Sequence, residues 1–272
     1  MKVFVLGNKG MLGRYVYTYL KLKNYKVIGL SRSDIDASCI SSAELKSKLT
    51  DTGLSEGDVI INCMGIIKRE DVPKIDFTSV NTIFPHTVAY VCESVGAELI
   101  HVSTDCVYDG LEGNYDENHI HTANDLYGMS KSGGEVDNAT VIRTSLIGEE
   151  TGQARSLIEW IKSNADTTVS GYTNHVWNGI TCLQFAKLCD DIIENGLFWR
   201  GIKHITSPSK ITKHDLVKLV SDIYELNLKV IPYETEIKCD RSLSSVRNEI
   251  VFEIPELREQ LIEMKSFILD KY

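Results

Sequence analysis

The first half of the chain alternates short apolar runs with amphipathic stretches. The apolar runs have the length of strands and lack polar alternation; they cover 3–6, 27–30, 59–63, 99–103 and 140–142. Helical periodicity lies between them, at 12–20, 43–49, 80–95 and 127–136, and Gly96 stands where a helix C-cap is expected. This alternation predicts a parallel sheet with right-handed crossovers and helices on both faces.

The rhythm changes after Gly148. Helices are expected at 156–164, 183–193, 214–224 and 255–268, and short strands at 167–171 and 201–205. In the last helix, one face would carry Leu257, Leu261, Met264 and Ile268. We therefore predict an α/β fold, with a Rossmann-type doubly wound parallel sheet in 1–150. A smaller, interleaved part for substrate binding would occupy 151–272, with about 176–206 returning to the first domain.

Charge, cysteine content and the length of apolar stretches limit the kinds of partner and ligand expected for this protein. The 272 residues carry a net charge of -9 and no basic stripe, which argues against a nucleic-acid partner. Seven cysteines without Cys-x-x-Cys pairs indicate reduced thiols, and neither they nor the histidines show metal-site spacing. No apolar stretch approaches 18 residues, so we expect a soluble, cytoplasmic protein with no membrane partner and no bound metal.

A glycine motif follows the first apolar run. Gly7, Gly10 and Gly13 form Gly-x-x-Gly-x-x-Gly between a predicted strand and an amphipathic helix. Glycine there permits a tight turn, a close approach of backbone to pyrophosphate and close packing of helix on sheet. The motif predicts a dinucleotide site, and the alternative is a simple strand-to-helix turn.

The end of the second strand bears on the type of cofactor. NAD-preferring folds place a carboxylate there for the ribose hydroxyls. This chain has Ser31 and Arg32, a hydroxyl and a guanidinium that suit a 2′-phosphate. NADPH (NADP) is therefore favoured over NADH, with Arg32 as an ordinary solvated residue being the alternative.

A tyrosine and a lysine four residues apart form the second signature. Tyr127 and Lys131 share one helix face, where the ammonium favours the phenolate. The same spacing joins Tyr17 to Lys21 and Tyr19 to Lys23 in the first helix. Only the Tyr127 pair has supporting context, because Ser-Thr-Asp-Cys-Val-Tyr-Asp-Gly at 103–110 directly follows a strand.

These motifs resemble those of the extended short-chain dehydrogenases/reductases, and most closely the dTDP-4-dehydrorhamnose reductases. Further matching segments are Ile61-Asn62-Cys63, Val80-Asn81 and Arg143-Thr144. The likeness covers most of the chain and is detailed through residue 146. It implies NADPH-dependent reduction of the 4-keto group of a nucleotide-linked 6-deoxy sugar.

The resemblance also implies roles for individual residues. Tyr127 would donate a proton, Lys131 would hold the nicotinamide ribose and tune Tyr127, and Thr104 would bind the substrate carbonyl. Cofactor contacts would come from Gly7, Lys9, Gly10, Met11, Leu12, Gly13, Ser31, Arg32, Asp36, Cys63, Met64, Gly65, Asn81, Ser103, Tyr127, Lys131 and Thr144. Substrate contacts would come from Asp105, Cys106, Val107, Trp177 and Arg241.

The second part of the chain should supply cations for the nucleotide diphosphate. The candidates are Arg155, Lys162, Arg241 and Arg247, with Arg241 preferred. The chain departs from the family's pattern in three places, at Cys106, at Met64-Gly65 and at 178–181, which leaves the identity of the sugar open. Cys106 stands where the family usually has an aromatic residue.

Two other functions stay open on the same fold. A nucleotide-sugar epimerase or dehydratase shares the Tyr-x-x-x-Lys pair, but a dehydratase places a second carboxylate where this chain has Cys106. A non-catalytic NADP-binding regulatory subunit is the other alternative. The helix predicted at 80–95 could form a homodimer interface or pack on the sheet.

Overall fold

The computed structural model describes residues 1–67, 72–150 and 156–269. Its strands are β1 (Lys2–Leu6), β2 (Lys26–Leu30), β3 (Val59–Asn62), β4 (Glu98–Thr104), β5 (Thr140–Thr144), β6 (Leu146–Ile147), β7 (Thr168–Tyr172), β8 (His175–Trp177), β9 (Ile180–Thr181), β10 (Gly201–His204), β11 (Ile211–Thr212), β12 (Lys229–Tyr233) and β13 (Cys239–Asp240).

The helices are α1 (Met11–Leu22), α2 (Ser42–Asp51), α3 (Lys74–Asp76), α4 (Phe84–Val95), α5 (Leu126–Gly133), α6 (Leu157–Ser163), α7 (Cys182–Glu194), α8 (Lys213–Tyr224) and α9 (Leu257–Ser266). A π-helical segment, Phe77–Ile83, joins α3 to α4, and a 3-10 turn, Asp105–Val107, follows β4. Gly96 ends α4 in the left-handed conformation, as the sequence predicted.

The main sheet has six parallel strands in the order β10-β5-β4-β3-β1-β2. The order reverses between β1 and β3, and such a switch point opens a crevice at the carboxyl ends of the strands. Separate apolar clusters form on the two faces, as expected for continuous apolar strands covered on both sides. The fold is a Rossmann-like α/β fold, as predicted.

Elements from the second part of the chain pair and pack with elements of the first. β9 pairs with β6, α7 packs against α1, and β10 extends the main sheet beside β5. Outside that sheet, β8 pairs with β11 and β13, and β7 pairs with β12. Of the candidate substrate contacts, Trp177 lies on β8, and Arg241 directly follows β13.

One detail of the C-terminal helix was predicted wrongly. α9 ends at Ser266, and Ile268 lies beyond it with 85% of its surface exposed. Phe267 leaves the helix in an extended conformation and packs against Tyr15 and Tyr19, which ends the apolar stripe two residues early. Within the described ranges, no helix combines the length and apolar character needed to cross a bilayer.

Candidate active site

The glycine loop has the geometry that close approach of a pyrophosphate requires. Gly7 has φ +81°, and a Cβ on Gly13 would lie 2.1 Å from the Gly7 carbonyl oxygen. Gly10 caps α1 without a side-chain hydrogen bond, so no capping side chain occupies the N–H groups of the first turn. These residues therefore fit a dinucleotide, with the helix N-terminus facing its phosphates.

The end of β2 holds both hydroxyl and charged groups. The Ser31 amide and hydroxyl both donate to one carboxylate oxygen of Asp34, each at 2.8 Å. Arg32 and Lys9 are exposed beside this turn, and Lys9 helps to lower the pKa of Asp34 after the hydrogen bonds from Ser31. Asp36 accepts hydrogen bonds from Ser38. Asp34 belongs to this turn, although the sequence analysis did not include it among the cofactor contacts.

Asn81 links two segments of the site. Its carbonyl oxygen accepts from the Ile66 amide at 2.8 Å, and its amide donates to the Ile66 carbonyl at 2.9 Å and to the Ser130 hydroxyl at 3.0 Å. The side chain thus fastens the segment after β3 to α5. Cys63 and Met64 lie in that segment, where the Met64 Cγ would be 3.1 Å from a Cβ on Gly7.

Thr104, Tyr127 and Lys131 come from two elements, β4 and α5, which pack together near the open end of the sheet. Thr104 ends β4, and α5 carries Tyr127 in its first turn and Lys131 in its last. The Asp125 side chain caps α5 by accepting from the Gly128 amide at 2.8 Å. Burial raises the pKa of Tyr127, and hydrogen bonding with Thr104 opposes that shift. The contact between strand and helix is therefore direct.

Lys131 is buried at 5% exposure and donates to the Val102 carbonyl at 2.7 Å. Burial lowers the pKa of its ammonium to about 8, and Glu135 acts in the opposite direction. A cation in this position can favour the charged form of a neighbouring phenol.

Helix α5 lies directly on the 3-10 turn after β4. A Cβ on Gly128 would lie 2.2 Å from the Cys106 carbonyl oxygen, so only glycine permits this approach. The close packing brings the Tyr127 ring beside Thr104 and Cys106.

Charged side chains cluster around the turn after β4, beside Tyr127. Asp105 is buried, and burial raises its pKa while Arg241 and Lys213 oppose the shift. The Arg241 guanidinium donates to the Tyr108 carbonyl at 3.0 Å and to the Cys106 sulfur at 3.5 Å. Burial raises the pKa of the Cys106 thiol to about 12. Two cations and one carboxylate thus line this side of the site.

Lys213 is the cation that sequence reasoning missed. It opens α8 at a half-buried position, with its ammonium 5.0 Å from the centroid of the Trp177 ring. Trp177, a predicted substrate contact, ends β8 and is buried at 3% exposure. No sequence spacing relates Lys213 to Arg241, since only the short strands of the second part bring them together.

The other diphosphate candidates are occupied or lie elsewhere. Lys162 pairs with Glu149 at 2.9 Å. Arg247 pairs with Glu249 at 2.6 Å and donates to the Ile202 carbonyl at 2.8 Å. Arg155 lies outside the described residues. Arg241 is the one of these four that the described structure places beside Tyr127.

Val107, a predicted substrate contact, is buried inside the protein. Val107 has no exposed surface and packs with Tyr108, Tyr115 and Leu243. Its carbonyl accepts from the amides of residues 122 and 123. Any ligand contact through the Val107 side chain would require this cluster to open.

Two predicted cofactor contacts lie at the paired ends of neighbouring strands. Thr144 is opposite Thr104 in the β4–β5 register and is 1% exposed. Ser103 donates to the Glu135 carboxylate at 2.5 Å, so its hydroxyl is engaged within the protein. Either residue would therefore meet a cofactor mainly through its backbone.

Comparison with known proteins agrees with this geometry. A family model described as the RmlD substrate binding domain matches residues 1–242. The chain belongs to this family. Together with the Rossmann-like fold, membership makes this RmlD-type protein an NAD(P)-dependent oxidoreductase.

Individual relatives cover nearly the whole chain. A probable low-salt glycan biosynthesis reductase, Agl14, from Haloferax volcanii is 25% identical over 99% of both chains. The methionine adenosyltransferase 2 subunit beta of Danio rerio is 26% identical over 83% of this chain and 74% of its own. The structure of a dTDP-4-dehydrorhamnose reductase from Bacillus anthracis in complex with NADP superposes with a TM-score of 0.79, at 19% identity, over 97% of this chain and 99% of that chain.

Proposed function

We propose that this RmlD-type protein reduces the 4-keto group of a nucleotide-linked 6-deoxy sugar with NADPH. The observation that carries the proposal is the packing of α5, with Tyr127 and Lys131, against the end of β4, with Thr104, in a fold whose glycine loop fits a dinucleotide. Residues 1–150 would hold the cofactor and 151–272 mainly the sugar nucleotide, with about 176–206 returning to the first domain.

The chain's own residues account for the proton chemistry. When bound, NADPH would supply a hydride for the ketone carbon, which would leave negative charge on the ketone oxygen. The Tyr127 hydroxyl donates its proton to that oxygen, and the Thr104 hydroxyl provides a second hydrogen bond. The Lys131 ammonium stabilises the phenolate that remains. The balance is one ketone, one NADPH and one proton giving one alcohol and one NADP.

Preference for NADPH is supported by the charges at the end of β2. Arg32 and Lys9 are exposed there, where a 2′-phosphate would lie, while the nearby Asp34 carboxylate is held by Ser31. A panel of nucleotide-linked keto-sugars, each assayed separately with NADPH and NADH at 340 nm, tests both parts of the proposal. Stoichiometric NADPH consumption supports reduction. Conversion without net NADPH consumption would indicate an epimerase or dehydratase.

A regulatory role is favoured by one observation, the similarity to methionine adenosyltransferase 2 subunit beta. Such a role needs no turnover, so it predicts NADPH binding without oxidation by any keto-sugar in the panel.

The sharpest single test is Tyr127→Phe. We expect loss of turnover with the NADPH dissociation constant nearly unchanged, because only the transferable proton is removed. Tyr19→Phe is the matched control, since Tyr19 also precedes a lysine by four residues but lies on α1. Wild-type kcat in Tyr127→Phe would show that the assignment of the proton donor is wrong.

A further inference from the structure

Behind the candidate site lies a fully buried guanidinium with every donor satisfied. Arg143, on β5, has no exposed surface. Its Nε and Nη2 donate to the two oxygens of Glu135 at 2.8 and 2.6 Å. Nη1 contacts the Tyr108 hydroxyl and His204 Nε2, and Nη2 also contacts His121 Nε2, each at 2.7 Å. The five N–H groups of the fork therefore all meet acceptors.

Two of these partners, Glu135 and His121, are hydrogen-bonded to β4 and α5. Glu135 also accepts from Ser103, the residue before Thr104, at 2.5 Å. His121, in the segment entering α5, contacts the Ser132 hydroxyl on that helix through Nδ1 at 2.6 Å. A single residue therefore links Arg143 by hydrogen bonds to each catalytic element. Glu135 links it to the strand that carries Thr104, and His121 links it to the helix that carries Tyr127 and Lys131.

The other two partners, His204 and Tyr108, contact the segment that carries Arg241. His204 contacts the Ser244 carbonyl through Nδ1 at 2.7 Å, three residues beyond Arg241. The Tyr108 hydroxyl donates to the Asp116 carbonyl at 3.0 Å, and the Tyr108 carbonyl accepts from Arg241. A single guanidinium therefore connects the reducing end and the cationic end of the proposed site.

The two histidines can play this part only in one form. Each offers Nε2 to an N–H of Arg143, so each must carry its proton on Nδ1 and remain neutral. The groups facing His204 are Arg143, Glu117, Glu135 and Asp116, and those facing His121 are Arg143 and Glu135. A second proton would set an N–H against the guanidinium.

A buried charged network of this kind is weak evidence for added stability, because desolvation offsets its attraction. Its connections instead fix the relative placement of several chain segments. Burial, followed by the charge of Arg143, lowers the pKa of His204 to about 4, and the pKa of His121 is also lowered, chiefly by burial.

We infer that Arg143 is a positioning residue, which holds Thr104, the Tyr127–Lys131 helix and the Arg241 segment in register while His121 and His204 are neutral. The inference rests on the proposed function, since the register matters for that reaction. It assigns Arg143 no contact with substrate or cofactor.

The first test compares Arg143→Lys with wild type. Lysine keeps the charge but cannot satisfy four partners, so we expect kcat to fall by roughly 30-fold or more, since small misplacement of reacting groups costs up to about 100-fold. KM should change by less than about threefold. An unchanged kcat in a folded Arg143→Lys protein overturns the inference.

The second test uses His204→Gln, which can still accept from Arg143 and donate to Ser244 but cannot titrate. We expect near-wild-type kcat at pH 7.5 and an acid limb of the kcat profile displaced to lower pH. His86→Gln, at an exposed histidine, should leave that limb in place. Identical acid limbs in wild type and His204→Gln contradict the inference.

Failure of the proposed function is separable from failure of this inference. If wild type oxidises no NADPH with any keto-sugar, the proposed function is wrong. The network is then tested by NADPH fluorescence titration from pH 7.5 to 4, where about half of His204 is protonated, so wild type should lose about twofold in affinity relative to His204→Gln. Equal pH dependence in the two proteins would overturn the inference there as well.

Discussion

At the scale of single residues, two lysines near the start of α8 lie in very different surroundings. Lys213 is half-buried among Asp105, Cys106 and Arg241, whereas Lys210 is exposed three residues earlier. Burial lowers the pKa of Lys213, and Asp105 opposes this shift. A buried ammonium beside one carboxylate and one guanidinium has capacity for a further anion, such as a diphosphate.

We therefore predict that Lys213→Met raises KM for the nucleotide-linked keto-sugar by roughly 10- to 100-fold, the value of a charge-assisted hydrogen bond. The NADPH dissociation constant should not change, because Lys213 lies on the substrate side. Steady-state kinetics and NADPH titration measure the two quantities. Lys210→Met is the matched control and should stay within twofold of wild type. Equal KM values for the two variants would remove Lys213 from the site.

At the scale of elements, the position of α5 depends on close contact with the turn after β4. The sequence predicted this helix at 127–136, and the structure ends it at Gly133. Where the helix ends, the chain runs against the π-helical segment, so close that a Cβ on Gly134 would lie 1.9 Å from the Asn81 carbonyl oxygen. Periodicity could not show this contact, since Asn81 is far away in the sequence.

Gly128→Ala tests the packing of α5. The new methyl group would meet the Cys106 carbonyl at 2.2 Å, so the helix must shift, at a cost of about 1–3 kcal/mol for overpacking. We expect a lower melting temperature and a kcat reduced by roughly 10- to 100-fold from misplacement of Tyr127. Gly133→Ala, on the same helix, meets only the Thr82 side chain and should have a much smaller effect. A fully active Gly128→Ala protein would contradict the packing argument.

At the scale of the whole molecule, the buried network makes stability depend on pH. The pKa of His204 is about 4 in the folded protein and about 6.5 in an unfolded chain. Between these values the unfolded chain binds a proton that the folded protein excludes, so the free energy of unfolding falls as the pH drops. His121 and Glu117, whose pKa values are also lowered, act in the same direction.

We predict that His204 alone accounts for a loss of about 2 kcal/mol between pH 7.5 and pH 5. Urea unfolding at the two pH values measures this loss. His204→Gln should lose less stability on acidification, whereas His86→Gln should follow wild type. A parallel loss in wild type and His204→Gln would show that His204 is not the group responsible.

The sequence by itself determined the parallel sheet and the glycine loop, and it predicted the set of Tyr127 and Lys131, to which the family resemblance added Thr104. Each of these depends on local order along the chain, namely apolar runs, glycine spacing and a helical i, i+4 pair. They could therefore be found without knowledge of distant contacts.

Only the tertiary structure decided which distant side chains join that set. Lys213 comes beside Arg241, and Arg143 meets His121 and His204, through strands and loops separated by tens of residues. The buried state of these groups, and hence their pKa values, depends on what packs around them. No local pattern encodes that environment, because burial and charge pairing are properties of the folded chain.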